Sequence, residues 1–371
     1  MYRKIVILLT ILLISGCQNQ NQSLDNNAEN SNQEVQSGII LSDATIEQSN
    51  NDGENFWRLK VGKVTYSEDN KNAIIEDITA NLLQNGEIVL KISAENGEVL
   101  NDGEEINLMG EIIAFDTRND MEVRGEKLNW KPEQNYFTLQ ENIEIIHEQI
   151  RLVTQEAEYN TATQVLQLNQ EITANTSEPQ LKILADALVW QVEQGIISTE
   201  LPFTITRYED EQVTDTLSAS VAEMDLNNSI LIVENNIEYQ SLNPPLQGAT
   251  SAMRWDYDQR IIETDKMIRL VEVDEDITMT ANQGRIDLTE NKVYLSRQIF
   301  GESVSNQGKL YADSVIWNLD DQNIDAQGNV VYQQVNPVVN FRGDRAQGRL
   351  QDNQVVVTGQ GDNRVVTTIY P

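Results

Sequence analysis

Trp130, Trp190, Trp255 and Trp317 recur about every 62 residues, each inside the same short phrase, which makes the chain an array of repeats. An apolar residue stands two before each Trp, and a polar turn begins three after it. Leu128, Leu188, Met253 and Val315 are the predecessors, and Glu133-Gln134, Glu193-Gln194, Asp258-Gln259 and Asp320-Asp321 the turns. Copies without Trp centre on Val99, Tyr159, Met224, Ile286 and Leu350, so about nine units of about 31 residues fill the body. Residues two apart share a face on a strand, because strand side chains alternate, and do not share one on a helix. Each unit therefore reads as strand, polar turn, strand: Gln155 to Tyr159, then Asn160 to Thr163, then Val165 to Leu168.

Asn85-Gly86, Asn96-Gly97, Asp102-Gly103, Gln283-Gly284, Gln307-Gly308, Gln327-Gly328 and Gln347-Gly348 punctuate the apolar runs. They predict turns, since glycine supplies the positive φ that tight turns need. No stretch of the body sustains apolar residues at i, i+3, i+4 and i+7, and the expected fold is all-β. Several strands are apolar on both faces: Ile106 to Leu108, Tyr136 to Leu139, Val165 to Leu168, Ile230 to Val233, Val293 to Leu295 and Val355 to Val357. A single sheet with one wet face needs only alternation, so the excess predicts two sheets facing each other across an apolar interior. That interior is either a filled core or a groove for lipid chains.

The N terminus carries Arg3-Lys4, a short apolar stretch from Ile5 to Ile14, and the phrase Leu13-Ile-Ser-Gly-Cys17. About ten apolar residues are too few to span a bilayer, so residues 1–16 read as a signal peptide. The phrase resembles the lipobox of bacterial lipoproteins, which implies a lipid anchor on Cys17. Cys17 is the sole cysteine, which excludes an intramolecular disulfide and a thiolate metal site. Residues 17–55 are rich in Asn, Gln, Ser and Glu and hold no aromatic, and a flexible polar tether is expected there. Residues 56–371 then form one continuous array, with a bend expected near 241–245 at Ser241-Leu-Asn-Pro-Pro245.

The formal net charge of −33 argues against nucleic acid and anionic membrane surfaces as direct partners, because both need clustered Lys and Arg. It predicts an acidic, solvated outer surface that discourages random pairing of sheet edges. His147 is the only histidine, so a nucleophilic triad would have to run through it, and no Gly-x-Ser-x-Gly elbow accompanies it. A structural or solvated role is expected for His147. Histidine-pair metal sites are excluded by the count. Glu272, Asp274 and Asp276 would project from one face of a strand and read as a charged edge in preference to a Ca²⁺ site. No carboxylate pair stands out for glycoside hydrolysis, and there is no Gly-rich phosphate loop. The chain is expected to be no enzyme and to carry no metal or cofactor.

The Trp-x-x-acid-Gln repeats, such as Ala187 to Gln194 and Asp313 to Asp320, are joined by phrases such as Glu141-Asn-Ile143 and Gly328-Asn-Val330 after the second strands. Together they resemble the periplasmic bridge proteins of lipopolysaccharide export, the LptC and LptA (OstA-like) type. An N-terminal anchor followed by Phe56-Trp57-Arg58-Leu59 is most similar to the inner-membrane member, LptC, although the chain is unusually long for one. The resemblance implies an elongated, open, twisted β-jellyroll, or β-taco. Its apolar groove would carry lipopolysaccharide acyl chains from an inner-membrane ABC transporter across the periplasm toward the outer membrane. The groove lining is expected from Leu108, Trp130, Phe137, Leu139, Leu166, Leu168, Trp190, Ile230, Ile232, Trp255, Val293, Leu295 and Trp317. Partners of this family join by sheet edges. On that basis the strand of Trp57 would face the transporter's jellyroll, and Val355, Val356 and Val357 an LptA-type bridge protein. Members commonly keep a transmembrane helix; the lipobox implies attachment to the inner membrane through acyl chains on Cys17 instead.

Two other readings remain open. One is a surface or periplasmic lipoprotein scaffold that binds polysaccharide or protein through exposed aromatics such as Tyr257 or Tyr311. The other is a polysaccharide-cleaving enzyme on a β-solenoid, which the scarcity of Lys and Arg disfavours.

Overall fold

Each repeat phrase ends one strand and begins the next, and each resulting strand pairs with the one before it and the one after it. The computed structural model describes residues 39–49, 55–242, 245–273, 277–304, 307–335, 338–349, 354–359 and 365–368. They form a single sheet of 26 strands, antiparallel in every pairing of the repeated hairpins. The helical content among the described residues is two short 3₁₀ turns, Asn101–Gly103 and Pro132–Gln134. The all-β expectation holds, and the sheet grows hairpin by hairpin as a solenoid does. The signal segment and Cys17 lie outside the described residues.

The sheet is creased along its length. Half of the strands run 11 or 12 residues, and strands such as Glu105–Asp116 and Tyr136–Ile146 turn a corner near the midpoint. At the corner two successive residues take positive φ: Gly110-Glu111, Glu141-Asn142, Gln170-Glu171, Asn235-Asn236, Arg297-Gln298 and Gly328-Asn329. The pairing register slips at these places, which is the signature of a β-bulge that bends its strand. Phrases such as Glu141-Asn-Ile143 and Gly328-Asn-Val330 therefore sit in the middle of a strand and make the crease, where the sequence suggested positions after a second strand. In two hairpins the corner separates two strands outright, Ile196–Thr199 from Phe203–Glu209 and Ile261–Thr264 from Ile268–Glu272.

The crease divides the sheet into two walls that face each other. We call the half that carries Trp130, Trp190, Trp255 and Trp317 the tryptophan wall and the other half the facing wall. The first inward residue past each corner is large and buried: Ile112, Ile143, Ile172, Ile237, Ile299 and Val330. Its cross-strand partner is small: Gly125, Thr154, Ala185, Thr250, Ala312 and Gly343. Large against small lets the walls close at the fold line without voids or clashes. Thr154 fits this narrow place because its hydroxyl donates to the Asn169 carbonyl at 2.7 Å, where the polypeptide is bending.

Four expectations need correction. Ile40–Ser49 is a strand, paired from Ile40↔Thr65 to Ser49↔Asn55, so the tether cannot extend to residue 55. Ala44 and Ile46, two apart, pack on the core, and that pair is the only pattern a polar stretch needs to add a strand to a preformed edge. Trp57 consequently is not at an edge: its strand, Asn55–Tyr66, lies between Ile40–Ser49 and Ala73–Gln84. Among the glycine dipeptides, Asn85-Gly86 makes a true two-residue turn with positive φ at both positions, but Asn96-Gly97, Gln283-Gly284 and Gln347-Gly348 lie inside strands. Gly97 is needed for close approach, since a Cβ there would stand 2.6 Å from the Asn107 carbonyl oxygen. At the expected bend the pairing continues, Ser241↔Leu246 and Leu242↔Pro245.

The crease should be the energetic spine of each repeat. Ile299→Ala is expected to cost about 2–5 kcal/mol and Ala312→Leu about 1–3 kcal/mol in urea unfolding, by cavity and by overpacking respectively. Ile316→Ala, on the outer face, should stay within about 0.5 kcal/mol.

Candidate functional site

The repeat tryptophans stand in one unbroken cross-strand row near the free rim of their wall. Ile106, Trp130, Phe137, Tyr159, Leu166 and Trp190 are successive partners. The row continues through Ile197, Met224, Leu231 and Trp255. It then passes Ile262, Ile286, Val293, Trp317 and Ile324. The Trp-free repeat centres Tyr159, Met224 and Ile286 fall in the same row, so one repeat unit is two strands and one Trp period four.

Leu108, Trp130, Phe137, Leu139, Leu166, Leu168, Trp190, Trp255, Val293, Leu295 and Trp317 all face the interior and are buried. Ile230 and Ile232 do not. Ile232 is 42% exposed, whereas Leu231 and Val233 are at 1% and 0%. Four apolar residues in succession leave the phase of a strand undecided, and the pairing Leu231↔Trp255 decides it. Val355 and Val357 pack against the core from strand Gln354–Thr358, while Val356 points outward. That strand pairs with Val339–Arg349 through Arg345↔Thr358 to Arg349↔Gln354.

The two rims meet across the mouth of the trough over its N-terminal part. Asp116, on the facing wall, is 1% exposed and accepts from the Tyr159 hydroxyl at 2.8 Å. Arg118 pairs with the same carboxylate at 2.5 Å and donates to the Thr161 carbonyl at 2.9 Å on the opposite rim. Asn119 and Gln164 join rim to rim at 3.2 Å, and the Gln149 amide donates to the Leu226 carbonyl at 3.4 Å. Trp57 meets Trp130 edge-on at 6.1 Å, and His147 meets Trp190 at 5.2 Å. Burial, then the Asp116 charge, pushes the Tyr159 phenol above its ordinary range. The hydrogen bond to Asp116 raises the Arg118 guanidinium. Sequence reasoning missed this clasp, although Asp116 continues the inward alternation of Ile112 and Ala114 and is the charged residue out of place in it.

Toward the C terminus the walls separate. A mostly apolar cavity of about 90 Å³ lies between them, lined by Ile277, Met279 and Leu310 on the facing wall and by Ile324, Ala346 and Val355 on the other. Gly301 sits on its wall: a Cβ there would make only ordinary contacts, 3.5 Å from Leu310 and 3.7 Å from Met279. Farther back, Tyr239, Trp255 and Met253 line a small, partly open void of about 20 Å³ with the pair Arg207 and Asp215.

Polar accounting of the interior yields one repeated exception. The indole N–H groups of Trp130, Trp190, Trp255 and Trp317 are buried without a hydrogen-bond acceptor among the described residues. Each stranded donor costs about 1–3 kcal/mol. Of the acidic row read from sequence, Glu272 is 3% exposed, and Asp274 and Asp276 lie outside the described residues. No group of three or more metal-ligating side chains occurs among the described residues, and none of their helices is long and apolar enough to cross a membrane.

The clasp makes two testable claims. Tyr159→Phe should lower stability by about 1.5–3 kcal/mol in urea unfolding, the range for a hydrogen bond to a charged group. Burial beside Trp190 holds the His147 imidazole below its ordinary value, against the opposing pull of Glu148 and Asp120. The unfolded chain therefore binds this proton more readily, and the contribution of His147 is complete above about pH 6.5 and lost as pH falls below it. The melting-temperature difference between the native chain and His147→Gln should shrink from pH 7.5 to pH 5 by this amount.

Residues 5–177 match the family described as lipopolysaccharide-assembly, LptC-related. The matched segment is just under half of the chain, 173 of 371 residues, and ends in the turn between strands Val165–Thr176 and Leu181–Gln191. No curated protein matches the chain. The matched family works in the periplasm in lipopolysaccharide transport, and it is a family of bridge proteins, not of enzymes. Residues 5–177 are thus an LptC-related segment, similar to the lipopolysaccharide-export bridge proteins.

Proposed function

We propose that the chain holds lipopolysaccharide acyl chains between its two walls and passes them along the array, from an inner-membrane ABC transporter toward the outer membrane. The observation that carries this reading is the continuity of the apolar interior. The tryptophan-wall row runs from Ile106 to Ile324 without a break, across the end of the family match at residue 177, to the cavity beside Met279. At residue 177 the sheet makes an ordinary hairpin, paired from Lys182↔Asn175 to Gln191↔Val165. The fourteen pairings between Ile106 and Ile324, at about 4.8 Å each, give a path on the order of 65 Å. The second half of the chain thus extends the conduit within one polypeptide, where a shorter bridge protein would need a separate partner to continue it.

Two edges offer backbone groups for partners. Strand Ile40–Ser49, in place of the strand of Trp57, would face the transporter, and strand Gln354–Thr358 the next jellyroll. Strand addition at such edges supplies affinity from main-chain hydrogen bonds. Cys17 would carry the acyl anchor, a reading supported by its lipobox. The filled N-terminal interior favours the alternative of a scaffold protein, with Tyr311, 41% exposed beside Phe300, as its contact surface.

Photo-crosslinking separates the two. With a photoreactive residue at Leu139, Leu168, Met279 or the outward Leu184, radiolabelled lipopolysaccharide should label the first three and spare Leu184. A folded protein labelled nowhere, or at Leu184 alone, would reject the conduit and favour the scaffold.

A further inference from the structure

The four stranded indoles are equivalent by position. Trp130, Trp190, Trp255 and Trp317 occupy the same row at intervals of four strands, about 19 Å apart. Trp57, on the facing wall, shows that the fold can satisfy an indole: its Nε1 donates to Gln48 Oε1 at 2.7 Å. Bulk alone does not call for Trp in this row, because Phe137, Leu166, Leu231 and Val293 fill it equally well and bury no donor. A donor kept at four equivalent places at a cost to the empty protein points to an acceptor that arrives with a ligand.

We infer that these four N–H groups are donor stations for the oxygen atoms of an acylated cargo, its ester or amide carbonyls and chain hydroxyls. The assignment rests on the conduit reading. It adds to it the residues that grip the polar root of an acyl chain while the surrounding aliphatic rows hold the hydrocarbon. Trp255 already borders the small void beside Tyr239, and Trp317 pairs with Ile324, which lines the C-terminal cavity. Two of the four donors, Trp255 and Trp317, thus stand at or next to space between the walls. Four stations of one chemistry would also hold the cargo comparably at successive positions, which suits onward movement better than one tight site.

The test uses the full chain with Cys17→Ser, ¹⁵N-labelled at its indoles, and lipopolysaccharide as the probe. On binding, the Nε1–H resonances of Trp130, Trp190, Trp255 and Trp317 should move downfield as they gain an acceptor, and that of Trp57 should stay. The triple variant Trp130→Phe, Trp190→Phe, Trp317→Phe should weaken lipopolysaccharide binding by about tenfold or more, while its melting temperature without lipid stays level or rises. If the triple variant does not fold, 3-benzothienylalanine at Trp190, which replaces N–H by sulfur in the same shape, should weaken binding about two- to tenfold. Unchanged affinity in the donor-free proteins, or indole resonances that do not move in a native chain that binds, would overturn the assignment. A native chain that binds no lipopolysaccharide would instead overturn the conduit reading beneath it.

Discussion

The lengthwise crease is the constraint on which the rest depends. A flat sheet of this length would expose its apolar face to water, and a closed barrel could not grow by repeats. Two consecutive positive-φ residues bend six of the strands near the midpoint, and breaks between strands serve in two further hairpins. Non-glycine residues such as Glu141 and Asn142 bear that backbone strain, which costs of order 1–3 kcal/mol per residue. Burial of the residue just past the corner offsets it, since Ile143 is fully inaccessible. Because the corner recurs in register, one interior serves the whole array.

Once the walls exist, their rims decide how the interior is used. Inward positions near the rim of the facing wall turn polar at Asp116, Arg207, Asp215 and Ser241, and these groups meet acceptors or donors at the mouth instead of water. A buried carboxylate such as Asp116 is tolerable only with partners, and Arg118 and Tyr159 supply them. The outer faces carry exposed pairs such as Lys63 with Glu76 and Lys127 with Glu141, which contribute little to stability. Their acidic excess discourages random pairing at the edge strands Ile40–Ser49 and Gln354–Thr358.

Much of this was legible in the sequence because a strand array repeats its instructions. The Trp phrase gave the row and its period, and spacing by two gave the inward face of Leu128 and Trp130. The crease was visible as Glu141-Asn-Ile143 and Gly328-Asn-Val330, but it looked like a turn between strands, since positive φ is needed in both places. Phase failed where every residue is apolar, at Ile230 to Val233, because only pairing distinguishes the faces. The first strand, Ile40–Ser49, escaped notice because its inward residues are few and its stability comes from the neighbour it joins. The clasp is a contact between residues 43 apart on different walls, and no local pattern encodes that.

On the conduit reading, one interior connects the LptC-related segment to the rest of the array. A pulse of photoreactive lipopolysaccharide can be followed in time at two buried positions of the full chain, Leu59 near the first strands and Met279 at the C-terminal cavity. Labelling is expected at Leu59 first and at Met279 later, with the second signal growing as the first decays. Label that stays at Leu59, or reaches Met279 without passing Leu59, would contradict a continuous path.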